Sequence, residues 1–200
     1  FANIQYSEYY TEYASALVVA IPYVMQDSLD TYSEEKFDLG IELAQRESEL
    51  LLEQIENTLQ SQGICFWIPP TAQENETELK ALFSFKFAAV NSGMGWIGKN
   101  DVLVTKKYGP RVHLSVVLID ETFEYGHSIV KSECNQACTA CVDACPCKAL
   151  TNRLWSIDSK RGDIIDYDKC NKMRSAFFDK LGRKNACGLC MAACPIGRQN

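Results

Sequence analysis

The sequence predicts an α+β domain, helices packed on a partly antiparallel sheet, followed by a small cysteine-rich module. Three observations lead there. Short β-branched runs alternate with long stretches of helical apolar spacing over the first 130 residues. Nine of the ten cysteines fall after residue 130, with Cys65 alone before it. Charge breaks at the same place: 8 basic against 19 acidic residues before residue 131 give −11, and 12 against 7 after it give +5. A break this sharp divides the chain into modules at 1–130 and 131–200, the second with a positive surplus suited to something anionic.

The totals exclude several classes. With 46% apolar and 23% charged residues, the 200-residue chain is globular. Its longest apolar stretch, residues 14–25, carries Ser15 and Pro22, and falls short of the roughly twenty residues a membrane span needs. No basic-then-apolar signal segment precedes it. The net charge of −6 provides no overall basic field for nucleic acid.

The elements follow in order. Residues 16–24 (ALVVAIPYV) read as a buried strand. Ser33 before Glu34 and Glu35 is an N-cap followed by acids suited to the positive helix end. Phe37, Ile41, Ala44, Leu51, Leu52, Ile55 and Leu59 then recur at helical spacing until Gly63 stops the run. Residues 64–68 (ICFWI) read as a second strand, closed by Pro69 and Pro70, with Cys65 a buried small hydrophobe. A polar loop over 71–79 leads into a second helix over about 78–91, where Lys86 lies among Phe83, Phe85 and Phe87. It is either a snorkelling surface lysine or a buried one.

Residues 92–100 (SGMGWIGKN) hold three glycines within six residues, which permits close backbone approach. This is neither a Walker A loop nor a dinucleotide fingerprint, because the Gly-x-Gly-x-x-Gly follows a helix and precedes a strand. Residues 102–105 and 112–120 are expected to form a hairpin about Gly109 and Pro110.

The cysteine module reads Cys134-x3-Cys138-x2-Cys141-x3-Cys145-Pro146, then Cys170, then Cys187-x2-Cys190-x3-Cys194-Pro195. C-x2-C-x3-C-P is the pattern of 4Fe–4S ferredoxins, in which the Cys before Pro ligates the other cluster. Exchange of fourth ligands gives cluster one Cys134, Cys138, Cys141 and Cys194, and cluster two Cys145, Cys170, Cys187 and Cys190. Cys65 and Cys147 are left over. The first gap holds three residues where the usual run has two. Disulfides would need an oxidising compartment, and structural zinc would favour C-x2-C pairs with histidine, whereas His113 and His127 lie outside this module. Two clusters imply one-electron transfer in a reducing cytoplasm.

Taken together, GMGWIGKNDVLVTKKYGPRVHLSVVLID and the double CxxxCxxCxxxCP…CxxCxxxCP resemble the epoxyqueuosine reductase family, itself similar to the reductive dehalogenases. The resemblance covers about residues 14–198. It implies a nitroreductase-like mixed sheet with packed helices that binds a corrinoid (cobalamin), followed by a ferredoxin-like domain with two 4Fe–4S clusters. Electrons from an external ferredoxin- or flavodoxin-type donor would pass through cluster two and cluster one to the cobalt. Gly95, Trp96, Gly98, Lys99 and Asn100 would line the corrinoid, and Lys86, Tyr108 or Arg111 would supply or position a proton.

Two departures bear on the substrate. The family's proton-donating Asp, in a V-D-S-A-P segment, falls at Leu79, between Glu78 and Lys80, and its Arg falls near Lys86. The sequence ends a few residues after Pro195, so the family's tRNA-gripping helical repeats are not expected here, and with an acidic first module tRNA is a poor substrate. The expectation is therefore a corrinoid-dependent iron–sulfur reductase acting on a non-tRNA small molecule, possible as a homodimer. The alternative is an electron-transfer or corrinoid-reducing protein without a substrate of its own. Flavin in place of corrinoid is a third reading.

Overall fold

The computed structural model describes residues 13–23, 29–70, 73–75, 80–181 and 187–198. Its first strand, β1 (Ser15–Pro22), is followed by the long helix α1 (Glu34–Ser61). Ser33 caps α1 as its sequence promised, its hydroxyl accepting from the Lys36 amide at 3.3 Å. The two-residue strand β2 (Phe66–Trp67) and the pair β3 (Gln73–Asn75) and β4 (Lys80–Ala81) come next, then the short helix α2 (Phe85–Asn91). Strands β5 (Gly95–Ile97), β6 (Leu103–Thr105) and β7 (Val112–Ile119) complete the sheets. The cysteine-rich part carries α3 (Ala140–Asp143), α4 (Arg161–Ile164), α5 (Tyr167–Leu181) and α6 (Leu189–Ala192).

Strand β7 is the centre of the main sheet. It pairs antiparallel with β1, from Ser15 opposite Ile119 to Pro22 opposite Val112, and with β2 on its other side. Every strand pair among the described residues is antiparallel. Side chains alternate across β7 as the pleat requires. Val117 and Ile119 face Leu52, Ile55 and Leu59 of α1, while Val116 and Leu118 face Phe83 and Ala88. Within the α1 contact, the buried hydroxyls of Ser48 and Ser115 satisfy each other at 2.7 Å.

Three expectations change. The hairpin over 102–105 and 112–120 does not form: β6 pairs with β5, and β7 pairs with β1 and β2. Between them, Thr105 and Gly109 make only an isolated bridge. The second helix begins at Phe85 instead of 78, because Lys80–Ala81 pairs with β3 and Phe83 is buried in the core ahead of the Ser84 cap; Glu78 and Leu79 lie outside the described residues. Cys65 is exposed. Its neighbours Ile64 and Phe66 pack under α1 while β2 lies at the sheet edge, so the intervening side chain turns outward.

Residues on either side of position 130 share a core. Trp155 and Ile164 pack with Ala89, Val90, Ile97, Leu103 and Val112. The connecting segment is tied down at Ile129, whose amide donates to the Val90 carbonyl at 2.9 Å, and at Val130, whose carbonyl accepts from Ile157 at 2.8 Å.

Candidate functional site

The cysteines gather around two single-turn helices, and the same local chemistry builds both. In α3 the Cys145 amide donates to the Val142 carbonyl, and in α6 the Cys194 amide donates to the Met191 carbonyl, each at 3.2 Å. Each turn brings a mid-helix thiol, Cys141 or Cys190, beside its neighbours in the run. None of the ten cysteines is in a disulfide.

The electrostatics sort the thiols. Burial pushes the Cys141 thiol up to about 11, and the sulfurs that add to this are those of Cys194, Cys134 and Cys138. Burial also raises Cys194, where Cys134 and Cys138 act in the same sense against the Ile196 amide and Arg111. On the other side burial raises Cys190, with Cys187, Cys141, Cys170 and Cys145 adding to it. Burial raises Cys187 and Cys170 as well, and Cys145 reinforces both. Cys141 also acts on Cys190, so the two runs of cysteines lie next to each other.

This donor set fits the implied clusters. Eight cysteines, seven half-buried and one buried, supply the soft sulfur donors that two four-iron clusters would take as thiolates. Among the described residues no three His, Cys, Asp or Glu side chains converge on a single-ion site.

The residues of the glycine-rich segment meet the cysteine module directly. Trp96, buried in β5, aims its indole Nε1 at the Cys134 sulfur, 3.4 Å away. Lys99 is only 2% exposed, and its ammonium donates to the carbonyls of Gln136 and Cys138, both at 2.9 Å. Asn100 donates from Nδ2 to the Cys190 carbonyl at 3.5 Å, while its Oδ1 is buried without a partner. Arg111, also buried, spans the last loop: Nη2 donates to the Cys194 carbonyl at 2.6 Å and Nη1 to that of Ile196 at 2.7 Å.

The glycines serve the same joint. A Cβ on Gly95 would strike the Val104 carbonyl across β5 and β6, and one on Gly98 would meet Asn100 Oδ1 at 2.5 Å. Gly109, at φ +59°, sits against the Ile196 carbonyl in a conformation that L side chains rarely adopt. Of the five residues given to a corrinoid by resemblance, Gly95 and Gly98 are packed against Val104 and Asn100, while Trp96, Lys99 and Asn100 Nδ2 reach the loops that carry Cys134, Cys138 and Cys190.

The proton-transfer candidates are placed as follows. Lys86 is not enclosed by phenylalanines: its ammonium pairs with the Asp101 carboxylate at 2.9 Å and also donates to the Asp101 carbonyl. Arg161 approaches the same carboxylate at 3.9 Å. Tyr108 is half-buried against the core, with the Lys107 ammonium 4.9 Å from its ring centre. The structure does not bring Lys86, Tyr108 and Arg111 to one point by any direct contact among them, beyond the Tyr108 carbonyl accepting from Arg111 Nη1 at 3.4 Å.

Sequence reasoning missed three contributors. Asp101, at φ +58°, anchors Lys86 across fifteen residues, a pairing that the sequence does not mark. Tyr32 accepts from the Gly188 amide at 2.9 Å, and burial holds its phenol up to about 12, so it stays protonated. Arg198 donates to the carbonyls of Ala192 and Ala193 at 2.8 and 3.2 Å. The last two meet backbone groups, which leave no trace in a sequence.

Apart from the cysteines, an apolar groove of about 810 Å³ opens between β1, α1 and the end of α2, with Leu17, Leu51, Ile55, Met94, Phe123 and Tyr125 on its walls. No described helix is long and apolar enough to cross a membrane.

No family model matches the chain. It is similar to epoxyqueuosine reductases from Cellulophaga algicola, 32% identical over 111 residues, covering 55% of this chain and 36% of that protein. The corresponding enzyme of Atelocyanobacterium thalassa is 35% identical over 122 residues, covering 57% and 37%. Among solved structures, an epoxyqueuosine reductase crystallised with a modified tRNA stem loop matches at a TM-score of 0.55 with 21% identity, covering 91% of this chain and 48% of that one. The Bacillus subtilis epoxyqueuosine reductase matches at 0.55 with 20% identity, covering 92% and 48%. The chain therefore shares their mixed α/β fold over nearly all its length. It spans little more than a third of the curated relatives and about half of the solved chains.

Proposed function

We propose that this chain is an iron–sulfur oxidoreductase, similar to the epoxyqueuosine reductases, that carries single electrons through two 4Fe–4S clusters to a reductive reaction. What supports the reading is the donor set: eight cysteines, seven half-buried and Cys194 buried, in two C-x2-C-x3-C-P runs joined by Cys134 and Cys170, with their sulfurs near enough to act on one another. Cys134, Cys138, Cys141 and Cys194 would hold cluster one; Cys145, Cys170, Cys187 and Cys190 would hold cluster two. The similar proteins are enzymes named for a reductase activity, which supports an enzymatic role.

The chain's own residues have definite tasks in this reading. The Trp96 indole donates to a ligand sulfur, a contact that raises the potential of an iron–sulfur centre. The buried Lys99 ammonium places positive charge beside cluster one and fixes the loop that carries Cys138. Arg111 and Arg198 hold the loop that delivers Cys194. Exposed Lys148, Lys169 and Lys172 are near neighbours of Cys147 and Cys170 in the chain and suit an acidic donor of ferredoxin or flavodoxin type.

The finer reading is that the electrons reach a corrinoid, which would supply a strongly reducing metal centre, and that the substrate is a small molecule and not tRNA. The module boundary at 130/131, a cytoplasmic setting and a homodimer belong to the same proposal. Gly95, Trp96, Gly98, Lys99 and Asn100 would then lie beside the corrinoid, with Trp96 and Lys99 also holding the loop of cluster one and Asn100 that of Cys190 in cluster two. One observation favours the second reading, an electron carrier without its own substrate: Lys86 and Arg111 are both engaged by protein groups.

Anaerobic reconstitution with iron, sulfide and cobalamin, followed by desalting and metal analysis, tests both. The expected result is about eight irons per chain, falling to about four in C141A or C187A. One retained cobalt supports the corrinoid route. Eight irons without cobalt would leave the carrier reading, and no iron at all would overturn the whole proposal.

A further inference from the structure

Cys147 has no part in either set of four, yet its sulfur lies 3.7 Å from that of Cys145. That separation has a chemical meaning. Two thiolates bound tetrahedrally to one metal at about 2.3 Å stand about 3.8 Å apart. A disulfide would bring them to about 2 Å, and thiolates on different irons of a cubane diverge along separate corners. The pair therefore has the spacing of two sulfurs that can address the same iron.

The local backbone creates this spacing. The Lys148 amide donates to the Cys145 carbonyl at 3.1 Å, and Lys148 itself takes φ +49°, uncommon for a lysine. The turn folds Cys147 back beside Cys145, whose sulfur also accepts from the Ala149 amide at 3.4 Å. Both cysteines pack with Cys170 and Cys190 against Ala149, Leu150 and Ile165, and the Cys170 sulfur is near enough to act on Cys147. Cys147 is thus inside the ligand pocket of cluster two, not on a remote surface.

We propose that Cys147 is an alternative ligand for the iron of cluster two that Cys145 holds, so that this cluster has five thiols for four corners. In the exchange one iron–sulfur bond forms as another breaks. The proton leaving Cys147 is taken up by Cys145, and no electron changes hands. The inference rests on the cluster reading above and adds to it a spare ligand that the spacing motif does not contain.

Iron content and paramagnetic resonance of anaerobically reconstituted, oxidised protein test it without any substrate. C145A is expected to keep about eight irons and to show no three-iron signal, because Cys147 closes the open corner. C147A is expected to keep about eight as well, which shows that losing its sulfur does not unfold the loop. C145A/C147A is expected to lose iron, appearing either as a three-iron signal or as the loss of cluster two. C187A, which has no spare thiol assigned, is expected to lose iron alone. Equal losses in C145A and in the double variant would overturn the Cys147 assignment while leaving the two-cluster reading intact. A wild-type chain that takes up no iron would overturn that reading first.

Discussion

Replacing Arg111 by methionine removes the clamp on the loop that carries Cys194. The guanidinium makes two short bonds to the carbonyls of Cys194 and Ile196 from a buried position. Hydrogen bonds to charged groups contribute about 1.5–3 kcal/mol each, so the two together account for about 3–6 kcal/mol. Removing a buried charge recovers part of its desolvation cost, which leaves a net loss of about 3 kcal/mol. Arg198 still holds the loop at Ala192 and Ala193, so the loss appears as local opening and not as global unfolding. At about 1.4 kcal/mol per factor of ten, the opening equilibrium shifts by about a hundredfold. Iron release to a strong chelator under anaerobic conditions reads this directly. Wild type should release its iron slowly in one phase. Arg111→Met should show about half of the iron leaving roughly a hundredfold faster, as cluster one loses its Cys194 corner. Arg111→Lys should fall between, since one ammonium cannot span both carbonyls. A release rate within threefold of wild type would refute the clamp.

Other outcomes follow from the same geometry. Ser48→Ala or Ser115→Ala alone strands a buried hydroxyl and should cost about 1–3 kcal/mol in urea unfolding, while the double substitution should cost clearly less than the sum of the two. Gly109→Ala adds a Cβ against the Ile196 carbonyl at a left-handed position and should lower iron retention, whereas Cys65→Ser, at an exposed site, should keep about eight irons. His113 is half-buried, and burial holds its imidazole below the ordinary 6.5, against a smaller opposing effect of Glu49. Its folded form resists protonation, so its contribution is full above that value and is lost as pH falls through it toward the lower folded value. His113→Leu should therefore flatten the decline of the thermal midpoint between about pH 7 and about pH 5, a comparison that wild type must fail if the reasoning holds.

Some of this molecule was plain in its residues. Helix α1 was legible because cap, acidic first turn, apolar stripe and Gly63 all agree over many turns. The cysteine runs are legible as a pattern for a different reason: three thiolates close in sequence leave a fourth corner to be filled from elsewhere in the chain, which is why an exchange of ligands is expected. The mistaken hairpin shows where local pattern stops. Residues 102–105 read as a short apolar strand, but a three-residue strand does not specify its partner, and Gly95 lets β5 approach it closely. Cys65 failed for a related reason, since alternation fixes opposite faces without saying which of them is covered at a sheet edge. The roles of Lys99, Arg111 and Tyr32 were hidden because their partners are carbonyls and amides, and every residue offers those.

That last feature has an evolutionary side. Where the glycine-rich segment and Arg111 grip the loops around the thiols, they do so almost wholly through the main chain: Gln136, Cys138, Cys190, Cys194 and Ile196 are all held by their carbonyls. The gripped residues are therefore interchangeable as far as the grip is concerned, so long as the sulfurs stay in place. The gripping residues have no such latitude, because Lys99 and Arg111 each reach two carbonyls from a buried position. Variation among descendants of this sequence should consequently be lopsided, free between the cysteines and stalled at the side chains that face them.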